Sequence, residues 1–211
     1  MPDEIGLFEA MYTQKALRRL KPDPVPEDLI RKLIDAAIRA PSGGNRQPWA
    51  FVVIRDAETK RKIGEWYRDA WDKTYGAIPQ ETRDQFEGSF ARTYRSAEHL
   101  AFHLAEAPVH ILVCTHGVPV PGNAASASQY GSIFPAVQNL LLAARGLELG
   151  ASLTTLHKLH EAEVKELLGI PNDVETVALI PVGYPKGKYG PAERRPVEEV
   201  MYHERWGATA G

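Results

Sequence analysis

The sequence predicts an α+β fold, with helices packed around a few strands, and three observations support this. Apolar residues recur at helical spacing through several long segments. Only three firm β-rich runs are present, at about 49–54, 108–114 and 176–182, and they lie far apart in the chain. No regular alternation of strand and helix joins them, which argues against a sheet built from βαβ units. The 211 residues, 44% hydrophobic and 25% charged, suit one domain, 1–211, with a sizeable core.

Residues 4–15 read as a short helix with Ile5, Phe8, Met11 and Tyr12 on one face. The segment Lys21-Pro-Asp-Pro-Val-Pro26 then breaks regular structure. Pro26 suits the first position of a second helix, with Glu27 and Asp28 in its positive first turn. Leu29, Ile30, Leu33, Ile34 and Ala37 form that helix's apolar stripe, and it must end before Pro41. The strand at 49–54 follows, then a helix from Ala57 to about Tyr75 whose Tyr67, Trp71 and Tyr75 share a face. Residues 72–96 are polar with scattered aromatics, and 57–105 reads as a variable lid or substrate region. A helix is expected over His99–Ala107, a buried strand over Pro108–Cys114, and a loop over His116–Ser128.

A long helix then carries Ile133, Val137, Leu140, Leu141 and Ala144 inward and ends near Gly150, with Pro135 at its start or kinking it. Ala151–Thr155 is strand-like, Glu161–Leu168 a short helix stopped by Gly169 and Pro171, and Gly183–Gly190 a turn-rich loop. The tail carries Val197, Val200, Met201 and Trp206, an apolar set suited to packing on another subunit.

A net charge of −2 gives no reason to expect nucleic acid or an anionic membrane as a partner. Cys114 is the single cysteine, so no intrachain disulfide forms, and its apolar neighbours make it a small buried hydrophobe. The N-terminus has no apolar signal core and no apolar run reaches the ~20 residues of a membrane span, so a cytoplasmic protein is expected. Dinucleotide and phosphate-loop glycine motifs are absent. His157 and His160 lack a third ligand, so no metal site is expected.

The informative stretch is Pro41-Ser42-Gly43-Gly44-Asn45-Arg46-Gln47-Pro48-Trp49. A small polar loop clamped between a helix and a strand lets backbone N–H groups approach a flat polar ligand. Basic clusters lie on either side in the chain: Lys15, Arg18 and Arg19 before it, Arg194 and Arg195 far after it.

Four motifs in this order resemble the FMN-dependent nitroreductase family. They are Gln14-Lys15-Ala16-Leu17-Arg18, Pro41–Trp49, the helix from Ser132 to Ala144 with its Gly150 exit, and Leu179–Pro185 with Arg194-Arg195-Pro196. Gln14 and Ala16 depart from the family's arginine and serine. Within the family, Thr154-Thr155 and Gly-Tyr-Pro look most like the iodotyrosine deiodinase branch, whose zwitterion-clasping lid residues find no match here.

The resemblance implies a nitroreductase-like fold: a central mixed β-sheet surrounded by helices, with the C-terminal tail exchanged in a homodimer. It implies FMN held by Gln14, Lys15, Ala16, Arg18, Pro41, Ser42, Gly43, Asn45, Gln47, Ser132, Thr154, Thr155, Leu156 and Arg194. Lys15 and Arg194 suit the phosphate, and Arg18 the negative charge that the reduced ring carries near N1 and O2. The Thr154–Thr155 backbone or hydroxyl groups suit flavin N5. The implied reaction is ping-pong hydride transfer from NAD(P)H to a small electron-poor aromatic, a nitroaromatic, quinone-like or halogenated one. Tyr67, Trp71, Phe86, Phe90 and Tyr94 are candidates to stack on it, with core packing as the equal alternative. Reductive dehalogenation, flavin fragmentation, use of a deazaflavin, and non-enzymatic flavin binding or storage stay open.

Overall fold

A computed structural model describes residues 5–117 and 124–209. Its elements run α1 (Leu7–Thr13), α2 (Glu27–Ala37), β1 (Trp49–Ile54), α3 (Ala57–Lys73), α4 (Gln80–Arg83), α5 (Gly88–His103), β2 (Val109–His116), α6 (Ala124–Gly146), β3 (Gly150–Ala151), α7 (Glu161–Leu168) and β4 (Val174–Gly183). The sheet order is β1-β2-β4-β3.

All three strand pairings are antiparallel. The expected mixed sheet is therefore corrected: the described residues of a single chain form an antiparallel one. Helices cover both of its faces. Ile111 and Val113 of β2, with Ile180 and Val182 of β4, face a core built with Ile30 and Leu33 of α2 and Ile133, Val137 and Leu140 of α6. The intervening Leu112, Cys114 and Leu179 face the second core, with Ile63, Tyr67 and Trp71 of α3 and Leu100 of α5. Side chains alternate along a strand, so a strand covered on both faces reads as an unbroken apolar run. Cys114 is buried in the second core, and desolvation pushes its thiol up to about 11.

Several boundaries differ from expectation. The first helix is limited to Leu7–Thr13, and residues 1–4 lie outside the described residues. Of the expected loop over 116–128, residues 118–123 also lie outside them, and from Ala124 the chain is already helical. α6 runs on through Pro135, which withholds one intrahelical hydrogen bond. The strand-like reading of Ala151–Thr155 shrinks to Gly150–Ala151 and one bridge, Thr154 to Leu179. Beyond it, Leu156–His160 forms a 3-10 turn. The stretch 72–96, read as polar, contains α4 and most of α5, and α5 continues through the helix expected at His99. Gly88 starts α5 with φ of 56°. Its polar outer face hid the helix, yet Phe86, Phe90 and Tyr94 already recur at every fourth residue.

Candidate active site

A cavity of about 310 Å3 opens between α3, α5 and the segment after β3. Tyr67, Trp71 and Tyr75 form one wall, Phe90, Thr93, Tyr94 and Ala97 a second, and Leu153, Thr154, Thr155 and Leu156 the floor; Arg18 supplies the charge.

Each wall has a local origin. α3 begins with an Asp56 cap, whose carboxylate accepts from the Thr59 amide at 2.8 Å. Its Tyr67 and Trp71, four residues apart, then point one way, and Trp71 packs 5.3 Å from Tyr75, on the 3-10 turn beyond the helix, and 5.4 Å from Tyr94 between ring centroids. Positions 90, 93, 94 and 97 are one face of α5. Thr154 is clamped by β4: its amide donates to the Leu179 carbonyl at 3.0 Å, and its carbonyl accepts from the Leu179 amide at 2.9 Å. The Thr154 hydroxyl lies 2.8 Å from the Tyr67 hydroxyl. This narrows the donor expected from Thr154–Thr155. The Thr154 amide is already committed, so among its groups only the hydroxyl remains for a ligand.

Arg18 sits on an extended strip stitched to the sheet's edge. The Leu17 amide donates to Ala151, the Lys186 amide to the Arg19 carbonyl, and the Lys21 amide to Tyr184, at 3.2, 2.9 and 2.7 Å. The guanidinium is buried enough that desolvation pulls its pKa down, with the Tyr67 phenol as its one opposing influence. An arginine nonetheless stays charged. A desolvated cation facing a cavity, with no carboxylate partner among the described residues, is suited to an anionic or electron-rich ligand atom.

The Ser42–Gln47 loop does not line this cavity. It packs on α6, where the Gly43 amide donates to the Ser132 hydroxyl at 3.3 Å and that hydroxyl donates to the Ser128 carbonyl at 2.9 Å. Ser42 Oγ accepts from the Gln47 amide at 3.0 Å. Gly44, Asn45 and Gln47 have φ of 60°, 53° and 52°. Gly tolerates this region freely and Asn moderately, while Gln47 is held there under strain, a feature common at ligand-binding loops.

Other candidate residues are scattered. Gln14 caps the C-terminus of α1. Lys15 reaches toward Gly190, whose added Cβ would stand 3.6 Å from its Nζ. Arg194 is exposed and donates to the Glu193 carbonyl. Phe86 does not line the cavity; it packs edge-on against Phe90 and Tyr94 at 4.7 and 5.1 Å, behind the wall. Tyr75, Thr93, Ala97 and Leu153 line it without having been singled out as site residues. Tyr75 was legible as the third of the every-fourth-residue aromatics, although the helix expected to reach it ends at Lys73 and Tyr75 stands on the 3-10 turn that follows; the others were legible only once α5 and the Thr154 bridge are known. His157 and His160 have separate partners: Thr176 Oγ1 at 3.2 Å for the first, Asp69 at 2.6 Å and Glu163 at 3.2 Å for the second.

The chain combines an aromatic cavity and a desolvated, half-buried cation with a strained polar loop that lies apart from that cavity, on a helix-covered antiparallel sheet. The chain belongs to the nitroreductase family, whose sequence profile matches residues 13–184. It is 27% identical over 208 residues to a Thermus thermophilus NADH dehydrogenase, covering 91% of this chain and 93% of that protein. It is 30% identical over 199 residues to Rattus norvegicus iodotyrosine deiodinase 1, covering 92% of this chain and 68% of that one. The solved structure of an oxidised iodotyrosine deiodinase bound to FMN and 3-iodo-L-tyrosine superposes with a TM-score of 0.69 at 27% identity, covering 95% of this chain and 99% of that one. Among the described residues no helix is long and apolar enough to cross a membrane.

Proposed function

We propose that this protein is a homodimeric, FMN-dependent oxidoreductase that uses NAD(P)H to reduce a small, flat, electron-poor aromatic by ping-pong hydride transfer. The carrying observation is Arg18: a desolvated cation at an aromatic-walled cavity whose floor offers the Thr154 hydroxyl. These groups fit a flavin, which needs an apolar bed for its ring, a cation near N1 and O2, and a hydrogen-bonding group near N5. When bound, FMN supplies two-electron chemistry, taking hydride from the nicotinamide and passing it to the second substrate.

The chain's own residues then have separate tasks. Arg18 favours the reduced ring by opposing its negative charge. Thr154, Thr155 and Leu156 support its central edge, with Gln14, Lys15 and Ala16 along the same strip. Lys15 and Arg194 hold the phosphate by charge-assisted bonds. Ser42, Gly43, Asn45 and Gln47, backed by Pro41 and Ser132, come from a second copy, since the loop lies away from its own chain's cavity. The exposed Leu7, Phe8, Met11 and Tyr12 of α1, and Val197, Val200, Met201 and the 90% exposed Trp206 of the tail, support such a pairing.

Trp71, Tyr75, Phe90 and Tyr94 stack on the substrate and exclude water, while Tyr67, its ring in the core, presents only its hydroxyl to the cavity floor. No carboxylate lines the cavity among the described residues. An amino acid's ammonium group would be desolvated there without a partner, so the favoured substrate lacks the zwitterion of 3-iodo-L-tyrosine.

The test begins with the absorption spectrum and the mass of the released cofactor. Anaerobic bleaching by NADH or NADPH, followed by recovery with nitroaromatics, quinones, 2-iodophenol or 3-iodo-L-tyrosine, then defines the reaction. Protein that binds no FMN would overturn the proposal. A flavin that NADH and NADPH leave oxidised would leave only flavin binding.

A further inference from the structure

The Tyr67–Thr154 contact joins residues 87 positions apart, and no other side-chain hydrogen bond among the described residues ties α3 to the cavity floor. Its two halves are held very differently. Tyr67 is 3% exposed, with its ring fixed in the core beside Trp71 and Leu179. Thr154 has its backbone clamped on both sides by Leu179, so what remains free is the side-chain torsion and the hydroxyl rotor. A threonine hydroxyl on a cavity floor is ambiguous by itself, since it donates or accepts according to how its proton is turned.

We propose that Tyr67 is the positioning residue for Thr154: its phenol holds the Thr154 hydroxyl toward the cavity and sets whether that hydroxyl donates or accepts. The inference rests on the flavin reading of the cavity. Two hydroxyls sharing one hydrogen bond use one proton and leave the other available. When the phenol donates, the Thr154 proton is free for a ligand acceptor. When Thr154 donates to the phenol, its oxygen is free to accept. Flavin N5 is an acceptor when oxidised and carries N–H when reduced, so a reversible partner suits both states. Burial raises the Tyr67 pKa above its ordinary value, outweighing the opposing effects of the Thr154 hydrogen bond and of nearby Arg18. The phenol therefore retains its proton at neutral pH and can take either role.

The test is a double-mutant cycle on FMN-loaded protein, read as the ratio of reduced to oxidised flavin at equilibrium with a reference dye. Thr154→Val is expected to change this ratio by about tenfold, which is about 30 mV for two electrons. Tyr67→Phe, which keeps the ring, is expected to change it in the same direction by at least threefold. In a Thr154→Val background, Tyr67→Phe should add almost nothing. A second arm places 3-fluorotyrosine at position 67 and reads the ratio below neutral pH, where the phenol stays protonated and only its hydrogen-bond strength is altered. It should shift the ratio when Thr154 is present and not when valine replaces it, so the test does not depend on the phenylalanine variant folding.

Additive effects, or no shift from either change at position 67, would reduce Tyr67 to core packing and overturn the inference. An unchanged ratio in Thr154→Val would overturn it too, by removing Thr154 from the flavin. Failure to bind FMN at all would defeat the parent reading as well, and is scored separately by cofactor content.

Discussion

Acid should loosen this protein well before its carboxylates titrate, because two histidines are buried in neutral form. His110 Nε2 donates one hydrogen bond, to the Leu104 carbonyl, and His157 Nε2 donates one, to Thr176 Oγ1, whose own proton goes to Glu161; the second ring nitrogen of each has no partner among the described residues. Desolvation pulls both from 6.5 down to about 4. The folded pKa values are depressed, so the unfolded chain binds the extra protons, and stability falls as pH drops from the unfolded value toward the folded one. From pH 7 to pH 5 each histidine withdraws about 1.8 kcal/mol, or about 3.5 kcal/mol for the pair. That is a large part of the ~5–15 kcal/mol typical of a domain. For a chain of this size it lowers Tm by about 7–14 °C. His99, also shifted down by burial, adds in the same direction. His157 begins its effect at the site, since it follows Leu156 on the 3-10 turn that continues the cavity floor. Thermal unfolding followed by circular dichroism across pH 5–7 measures the drop, and His157→Gln should remove about half of it. Near pH 5, unfolding should take up about 1.8 protons from these two residues, a quantity calorimetry in buffers of different ionisation enthalpy provides. Parallel Tm–pH curves for the parent and His157→Gln, or proton uptake near zero, would refute the reasoning.

Other expectations can be checked in parallel. Arg194→Ala should weaken FMN at least about tenfold, since a charge-assisted bond is worth about 1.5–3 kcal/mol, and leave riboflavin affinity nearly unchanged; equal losses in titration calorimetry would remove Arg194 from the phosphate. Arg18→Ala in flavin-loaded protein should lower the two-electron potential, and an unchanged potential by dye equilibration would move Arg18 away from the ring. Sedimentation should show a dimer with about one flavin per subunit, whereas a monomer with full occupancy would refute the shared site. Gly183→Ala should destabilise by about 1–3 kcal/mol in denaturant titration, because the new Cβ would stand 2.8 Å from Pro108 Cδ and 3.2 Å from Leu20 Cβ, with little room to yield.

Local chemistry made much of the framework legible. β1 occupies the expected 49–54, because an apolar run launched by Pro48-Trp49 has few other choices. α7 matches Glu161–Leu168, because Gly169 takes φ of 65° and ends the helix. The stripe on α2 and the Tyr67–Trp71 pair on α3 follow from helical periodicity alone. The four ordered motifs pointed to the family, since three of them mark a backbone turn or a charge and the fourth a long apolar helix.

Tertiary structure decided the rest. The mixed sheet and a strand reaching Thr155 were plausible runs of residues, but pairing depends on which edge is available, and only Gly150–Ala151 and Thr154 reach β4. α5 was obscured because half of its surface faces water and its inward face becomes meaningful only against α3. Phe86 and Phe90 look alike in the sequence, yet one packs behind the wall and the other lines the cavity. The Tyr67–Thr154 bond, the desolvation of Arg18 and the separation of the Ser42–Gln47 loop from its own chain's cavity all arise from contacts distant in sequence. Periodicity reports which face of an element is apolar; it carries no information about which other face, dozens of residues away, will meet it.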